Sequence, residues 1–135
     1  MATEIRKGDH CVFQLNYHIV LVPKYRKSIL KDQIAITLRE QLERIVQDYN
    51  WILHTLEIRP DHLHLFLSTR PTYSPTQIIR TIKSRTAKEI FRLYPKIRQQ
   101  EYWGGKFWSR SYYIGTAGTV SASIIQRYIE RQDHT

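Results

Sequence analysis

The chain has 135 residues, of which 41% are hydrophobic, and this is enough for one folded domain with its own core. Lysine and arginine number 21 against 12 acidic residues, so the net charge of +9 favours an anionic partner, nucleic acid before an acidic membrane. A lone cysteine, Cys11, excludes an internal disulfide and a multi-cysteine zinc site. The sequence has neither a signal-peptide core near its start nor a membrane-length apolar run, which predicts a cytoplasmic protein.

The N-terminal part of the chain predicts a strand and then a helix. Residues 1–10 are polar and are predicted to be loose. Apolar residues alternate over Cys11–Leu21, which favours a long strand with one buried side that Pro23 ends. Apolar residues at helical spacing predict an amphipathic helix over residues 31–49, with Asp32 as its N-cap.

Two further strands are predicted next, at Trp51–Ile58 and His62–Ser68. The turn Arg59-Pro60-Asp61 lies between them, with proline at the position that suits it, so the two strands are expected to form a hairpin. Strand side chains alternate between faces, so His62 and His64 share one face and the intervening leucines share the other.

The C-terminal half predicts two helices around a fourth strand. Ser74-Pro75-Thr76-Gln77 is a typical helix start with a capping box, and the helix is expected to run to Tyr94, before a proline. Residues 107–114 are predicted to form the strand, residues 115–118 a flexible joint, and residues 120–133 a final helix.

The resulting order, β-α-β-β-α-β-α, predicts an α+β fold with a ferredoxin-like βαββαβ antiparallel sheet and an added C-terminal helix. The first and third strands are then neighbours at the centre of the sheet. If both helices cover the apolar face, the opposite face collects a set of polar side chains: Gln14, Asn16, His18, His62 and His64.

Two imidazoles side by side can hold one divalent metal or one phosphate, although a His-x-His pair in a strand is more often satisfied by ordinary hydrogen bonds. The final helix presents Tyr128 and Gln132 four residues apart, and therefore on one helical face. A tyrosine beside an amide oxygen and two imidazoles would be a nucleophile beside three metal ligands. Taken alone, Tyr128 is better explained as a half-buried packing tyrosine, because Ile124 and Ile125 lie on the same side.

Several motifs in this order resemble a known family, the bacterial insertion-sequence transposases of the single-tyrosine HUH type, which move an element as single-stranded DNA. The resemblance covers nearly the whole chain. It rests on these stretches: Asn16-Tyr17-His18-Ile19-Val20, Val22-Pro23-Lys24-Tyr25-Arg26-Lys27, Arg59-Pro60-Asp61-His62-Leu63-His64-Leu65, Ile82-Lys83-Ser84, Trp103-Gly104-Gly105-Lys106-Phe107-Trp108 and Tyr128-Ile129-Glu130-Arg131-Gln132.

The resemblance implies that Tyr128 is the catalytic nucleophile and that His62, His64 and Gln132 bind Mg²⁺ or Mn²⁺. Imidazoles alone would suit zinc or manganese better than magnesium. The resemblance further implies a covalent 5′-phosphotyrosine intermediate, single-stranded DNA substrates with subterminal hairpins, and a homodimer whose tyrosine helix acts in trans. Such an enzyme would work in the cytoplasm of a bacterial or archaeal cell.

Basic and aromatic residues are the candidate DNA contacts, although charge runs are usually solvated faces and tryptophans usually pack. The candidates for phosphate and nucleic-acid contact are Lys24, Tyr25, Arg26, Lys27, Arg80, Lys83, Arg85, Lys88, Lys106 and Arg110. The candidates for base stacking are Tyr25, Trp103, Phe107 and Trp108. The alternatives are a related HUH nuclease of replication or conjugation, a hairpin-binding protein that does not cleave, and, more distantly, a membrane-surface protein.

Overall fold

A four-stranded antiparallel sheet forms the centre of the computed structural model, which describes residues 5–8, 10–102, 104–116 and 129–130. Ahead of it, β1 and β2 pair as a small antiparallel hairpin, and the sheet itself has the order β4-β5-β3-β6. The strands are β1 (Arg6–Lys7), β2 (Val12–Phe13), β3 (Leu15–Leu21), β4 (Ile52–Arg59), β5 (His62–Thr69) and β6 (Tyr113–Thr116).

Besides a 3₁₀ turn at Lys24–Arg26 and the helical residues 129–130, three α-helices are described: α1 (Asp32–Asp48), α2 (Pro75–Leu93) and α3 (Pro95–Tyr102). The apolar faces of α1 and α2 pack against one face of the sheet, where leucines 63, 65 and 67 of β5 and residues 19 and 21 of β3 are buried. The predicted capping box of Ser74 and Gln77 is present at the start of α2. None of the helices in the described ranges has the length and apolarity of a membrane-spanning segment.

The predicted α+β, ferredoxin-like architecture is confirmed. The first long strand, β3, and the third, β5, lie side by side in the middle, and β4 and β6 form the two edges. Because both helices cover one face, the other face of the sheet is left for polar side chains.

The N-terminal predictions need two corrections. Arg6–Lys7 pairs with Val12–Phe13, so the segment predicted to be loose contains a short strand, and the predicted first strand is divided into β2 and β3 at Gln14. Asp32 is the first residue of α1 with φ +55°, and Lys31 occupies the N-cap position.

The region after α2 departs furthest from the prediction. Pro95 ends α2 but also begins α3, because proline at the first helical position loses no hydrogen bond. Phe107 lies in an aromatic cluster with Phe91 and Tyr102, and Trp108 makes only an isolated bridge to Pro23, so most of the predicted strand 107–114 is not a strand. Gly115 and Thr116 belong to β6, whereas the prediction put them in a flexible joint.

Candidate active site

The face of the sheet opposite the helices carries the paired histidines, as the alternation predicts. In the strand register, Val20 of β3 lies opposite His64 of β5, and Tyr113 of β6 lies opposite Val20 on its other side. Glu57 of β4 is opposite His64. Directly opposed residues share a face, so these four side chains form one row across the sheet. We call this surface the histidine face.

His18 joins the site from β3. Its Nδ1 lies 3.1 Å from Nε2 of His64, and its ring stacks on Phe66 at a centroid distance of 4.6 Å. Burial lowers the pKa of both imidazoles, and for His64 the neighbouring His18 lowers it further, while Glu57 acts in the opposite direction. Both rings are therefore neutral at pH 7, the state in which an imidazole nitrogen can accept a hydrogen bond or bind a metal.

This pair predicts a pH-dependent stability for the metal-free protein. Both folded-state pKa values are lowered from 6.5, so below that pH the unfolded chain takes up protons that the folded one does not. We expect the free energy of unfolding to fall as the pH decreases from about 7 to about 5.5, measured by urea unfolding in EDTA. The His18→Phe variant keeps the ring stack and should show a weaker pH dependence; an unchanged one would contradict this account.

His62 is held by its neighbour in the sequence. Its Nδ1 lies 2.9 Å from Oδ1 of Asp61, and the side chain is 16% exposed. The other carboxylate oxygen of Asp61 is 3.5 Å from Nε of Arg26. Sequence reasoning treated Asp61 only as a turn residue, although an acidic residue directly before the first histidine was a signal for this contact.

His54, which sequence reasoning missed, adds a second polar group to this face. Nε2 of His54 lies 2.7 Å from the hydroxyl of Ser68, which in turn donates to Oδ1 of Asn16, and the His54 ring lies beside Phe66. The register of β4 against β5 shifts between Leu53 and Thr55, a bulge at His54. A bulge breaks the alternation from which faces are predicted, so no local pattern assigned His54 to this face.

The proposed nucleophile Tyr128 and the proposed ligand Gln132 lie outside the described residues. The next residue along from Tyr128 is described: Ile129 is helical, 4% exposed, and packs with Val20, Val22 and Tyr113. Because Val20 and Tyr113 belong to the row that contains His64, Ile129 packs against the histidine face.

The donor set for a metal is incomplete in the described part of the chain. Within it, no three histidine, cysteine, aspartate or glutamate side chains converge closely enough to hold an ion. His62 and His64 supply two imidazoles on one face, so a further ligand would come from a side chain of another type, from a residue outside the described ranges or from the substrate. An amide oxygen and phosphate oxygens suit Mg²⁺ and Mn²⁺, and the residues are thus compatible with the predicted ions.

The basic residues divide into two groups. Some form ion pairs with acidic side chains of the protein: Arg26 contacts Asp61, Lys27 lies 3.1 Å from Glu101, and Arg85 lies 2.7 Å from Asp48. Others line a groove of about 720 Å³ between α2 and residues 105–112, together with Phe91 and Tyr112. The predicted contacts in this groove are Arg80, Lys83, Lys88, Lys106 and Arg110.

Lys83 anchors one wall of this groove. Its ammonium donates to the carbonyls of Ser109, at 2.6 Å, and Arg110, at 3.3 Å, and lies over the ring of Tyr112. Burial, with a contribution from Lys106, lowers its pKa below the usual value. Lys83 therefore has a structural role in holding residues 109–110 against α2.

The aromatic candidates for base stacking are also divided. Phe107 is 1% and Trp108 5% exposed, and the indole N–H of Trp108 donates to the hydroxyl of Thr86 inside the protein. Both side chains therefore pack in the core and are not available to stack on DNA bases. Tyr25 is 40% exposed and has Lys24 over its ring, whereas Trp103 lies outside the described residues.

Comparison with known proteins assigns a family to this arrangement. The model of the IS200-like transposases matches residues 11–132, which is most of the chain and includes the whole of the histidine face. The chain belongs to the IS200-like transposase family. Transposases of this family cut and join DNA, and the histidine face is the candidate active site of such an enzyme.

Two transposases are similar in sequence to this chain over most of their length. The chain is 35% identical over 129 residues to the ISDra2 transposase TnpA of Deinococcus radiodurans, covering 96% of this chain and 91% of the relative. It is 27% identical over 123 residues to the transposase of the insertion sequence IS200 from Salmonella typhimurium, covering 91% and 80%. These likenesses favour a transposase over the HUH nucleases of replication and conjugation.

One solved structure agrees with the family assignment and a second agrees with the fold. A crystal structure of a Deinococcus radiodurans R1 protein assigned as a transposase superposes with a TM-score of 0.87 at 32% identity, covering 97% of this chain and all of that one. A tyrosine transposase associated with REP sequences, solved with a REP hairpin bound, superposes with a TM-score of 0.55 at 11% identity, covering 96% and 69%. The second likeness shows the fold alone.

Proposed function

We propose that this IS200-like transposase cleaves and rejoins single-stranded DNA at the ends of its element through a covalent bond to Tyr128. The packing of Ile129 carries the proposal. This residue directly follows Tyr128 and packs against Val20, the side chain opposite His64. Tyr128 directly precedes Ile129 in the sequence, which supports its assignment as the nucleophile that acts at this face.

The chemistry would be a two-step phosphoryl exchange. The Tyr128 oxygen attacks the scissile phosphorus and loses its proton, the tyrosine becomes joined to the 5′ phosphate, and the other strand leaves as a 3′-OH that takes up a proton. A second 3′-OH then attacks the phosphotyrosine and releases Tyr128. The phosphodiester bond energy is conserved throughout, so the reaction needs no nucleotide cofactor. A phenol has a pKa of ~10, so the tyrosine hydroxyl needs help in losing its proton at neutral pH.

A divalent ion, Mg²⁺ or Mn²⁺, is proposed as the cofactor, held by His62, His64 and Gln132. When bound there, it would act as a Lewis acid on the phosphate and as a template for its orientation. The neutral state of His64 supports this assignment, because a protonated imidazole cannot be a ligand.

The groove between α2 and residues 105–112 is the proposed DNA surface. Arg80, Lys88, Lys106 and Arg110 line it, and cationic side chains along a groove track a phosphate backbone. We propose a DNA hairpin as the ligand, the class of ligand bound to the REP-associated transposase. We further propose that the enzyme is a homodimer in the cytoplasm of a bacterial or archaeal cell. Ile129 packs against its own sheet, so action of the tyrosine helix in trans stays a prediction.

A covalent-adduct assay tests the proposed function. Single-stranded oligonucleotides that fold into hairpins, taken from DNA flanking the gene, are incubated with protein and Mg²⁺ or Mn²⁺ and analysed on a denaturing gel. We expect a slowly migrating protein–DNA band that is absent with EDTA and absent in Tyr128→Phe. The matched control is Tyr73→Phe, which removes a hydroxyl from a tyrosine that packs against Trp51 and should leave the band intact.

The same assay separates cleavage from binding. Tyr128→Phe should still bind the hairpin, because only the reacting oxygen is lost. Tight binding by the wild-type protein without any band, for every flanking hairpin and both ions, would contradict the transposase proposal and favour a hairpin-binding protein that does not cleave.

A further inference from the structure

Arg26 contacts both Asp61, the partner of His62, and the backbone of Ile129. Nε of Arg26 is 3.5 Å from Oδ2 of Asp61, whose Oδ1 is 2.9 Å from Nδ1 of His62. Nη1 of the same guanidinium donates to the carbonyl of Ile129 at 3.4 Å. A continuous set of polar contacts therefore runs from an imidazole of the histidine pair to the backbone beside Tyr128.

The contact between Asp61 and His62 decides which nitrogen of the imidazole carries the proton. A carboxylate only accepts hydrogen bonds, so Nδ1 must donate, and in the neutral ring Nε2 then keeps its lone pair. An imidazole that binds a metal through one nitrogen commonly donates from the other to a carboxylate, which orients the ring. With His62 only 16% exposed, its ring has little freedom to turn away from this partner.

The backbone at Arg26 has a rare conformation. Tyr25 has φ +64° and Arg26 has φ +48°, which is the left-handed region that L-residues other than glycine rarely adopt. Hydrogen bonds hold the turn in place, from N of Arg26 to the carbonyl of Pro23 at 2.8 Å and from N of Lys24 to the carbonyl of Phe107 at 2.8 Å. Two successive disfavoured residues persist only where surrounding contacts enforce them, and such conformations cluster at functional sites.

We propose that Asp61 and Arg26 are positioning residues of this active site. Asp61 orients His62 so that its Nε2 faces the divalent ion, and Arg26 connects the Asp61 carboxylate to the backbone of Ile129. This proposal rests on the proposed function. It means that ion binding at His62 and the packing of Ile129 against the sheet favour each other, and such coupling between two sites is reciprocal.

The first experiment measures the ion site without any DNA. Asp61→Asn should weaken Mn²⁺ affinity by ~10–100-fold, measured from the electron paramagnetic resonance signal of free Mn²⁺. In the metal-free protein, the ¹⁵N chemical shifts of the His62 ring should report the Nδ1–H tautomer in the wild type and a mixture of both tautomers in Asp61→Asn. Asp48→Asn is the matched control, because it removes a carboxylate of the surface pair with Arg85 and should change neither readout.

The second experiment measures the coupling itself. In the wild-type protein, saturating Mg²⁺ should shift the methyl resonances of Ile129, which packs against Tyr113. In Arg26→Gln this Mg²⁺-dependent shift should be lost, while the Mn²⁺ affinity falls less than in Asp61→Asn. Arg26→Lys keeps the charge but cannot reach both partners with a planar fork, and it should restore Mn²⁺ affinity without restoring the shift.

Each outcome decides the proposal. Unchanged Mn²⁺ affinity with an unchanged His62 tautomer in Asp61→Asn, or no Mn²⁺ binding by the wild-type protein, overturns the role of Asp61. Equal Ile129 shifts in the wild type and Arg26→Gln overturn the coupling. If Asp61→Asn does not fold, the Arg26 variants decide the question. If the wild type forms the adduct but the variants change neither Mn²⁺ affinity nor the Ile129 shift, this inference alone is contradicted. If Asp61→Asn loses Mn²⁺ affinity but the wild type forms no adduct, the proposed function alone is contradicted.

Discussion

Replacing His64 by alanine is expected to abolish the covalent adduct and to weaken Mn²⁺ binding by roughly 100-fold or more, since loss of a ligand exceeds the effect of losing its support. His64 lies at the centre of the row that runs from Tyr113 to Glu57, and its Nε2 meets Nδ1 of His18 at 3.1 Å. Its pKa is lowered by burial, so the ring is neutral at working pH. Adduct yield on a denaturing gel and Mn²⁺ titration would measure the two effects.

The matched control for this substitution is His54→Gln. His54 faces the same Phe66 ring and contacts the hydroxyl of Ser68, and a glutamine amide can replace that contact. We expect the control to keep both Mn²⁺ binding and adduct formation. If His54→Gln is as inactive as His64→Ala, the whole polar network of the face is needed, and the assignment of the ion to the His62–His64 pair is wrong.

Replacing Phe107 by alanine is expected to destabilise the protein by ~3–5 kcal/mol, the usual cost of removing a buried phenylalanine ring. Phe107 is 1% exposed and its ring contacts Phe91, Tyr102 and Trp108. The cavity cannot collapse easily, because these neighbours are themselves fixed by one another. Urea unfolding of the purified variant would measure the loss, which is a large part of the ~5–15 kcal/mol stability of a typical domain.

Phe107→Leu distinguishes a core residue from a DNA-stacking residue. Leucine refills most of the volume, so this variant should lose less stability and should bind a hairpin oligonucleotide with the affinity of the wild type. A stable Phe107→Leu protein with strongly reduced hairpin affinity would revive the stacking role that the sequence alone made plausible.

Most predictions that depended on local periodicity agree with the structure, although the strand predicted over Cys11–Leu21 is divided at Gln14. The alternation over His62–Ser68 separates the leucines of the core from His62 and His64, and the capping box of Ser74 and Gln77 begins α2. The sheet order agrees with the order of elements along the chain, because a βαββαβ chain with right-handed crossovers has few ways to pair its strands.

Predictions that depended on long-range contacts failed in the segment after α2. Phe107 and Trp108 have the composition of strand residues, but the neighbouring aromatic side chains bury them in a cluster before the last strand begins. Pro95 ended one helix and began another, since a proline marks a boundary without specifying the next element of the chain. His54 reached the histidine face through a bulge, which local alternation cannot predict.

The sequence by itself determined the fold class, the pairing of His62 and His64 on one face, and the basic character of the chain, because these depend on side-chain period, chain order and charge. Only the tertiary structure brought the His18 ring into contact with His64, joined Arg26 to both Asp61 and Ile129, and paired part of the basic set with acidic side chains. The contact between Arg26 and Ile129, for instance, connects residues 103 positions apart. Such contacts depend on how strands and turns pack in three dimensions, which no local pattern of residues records.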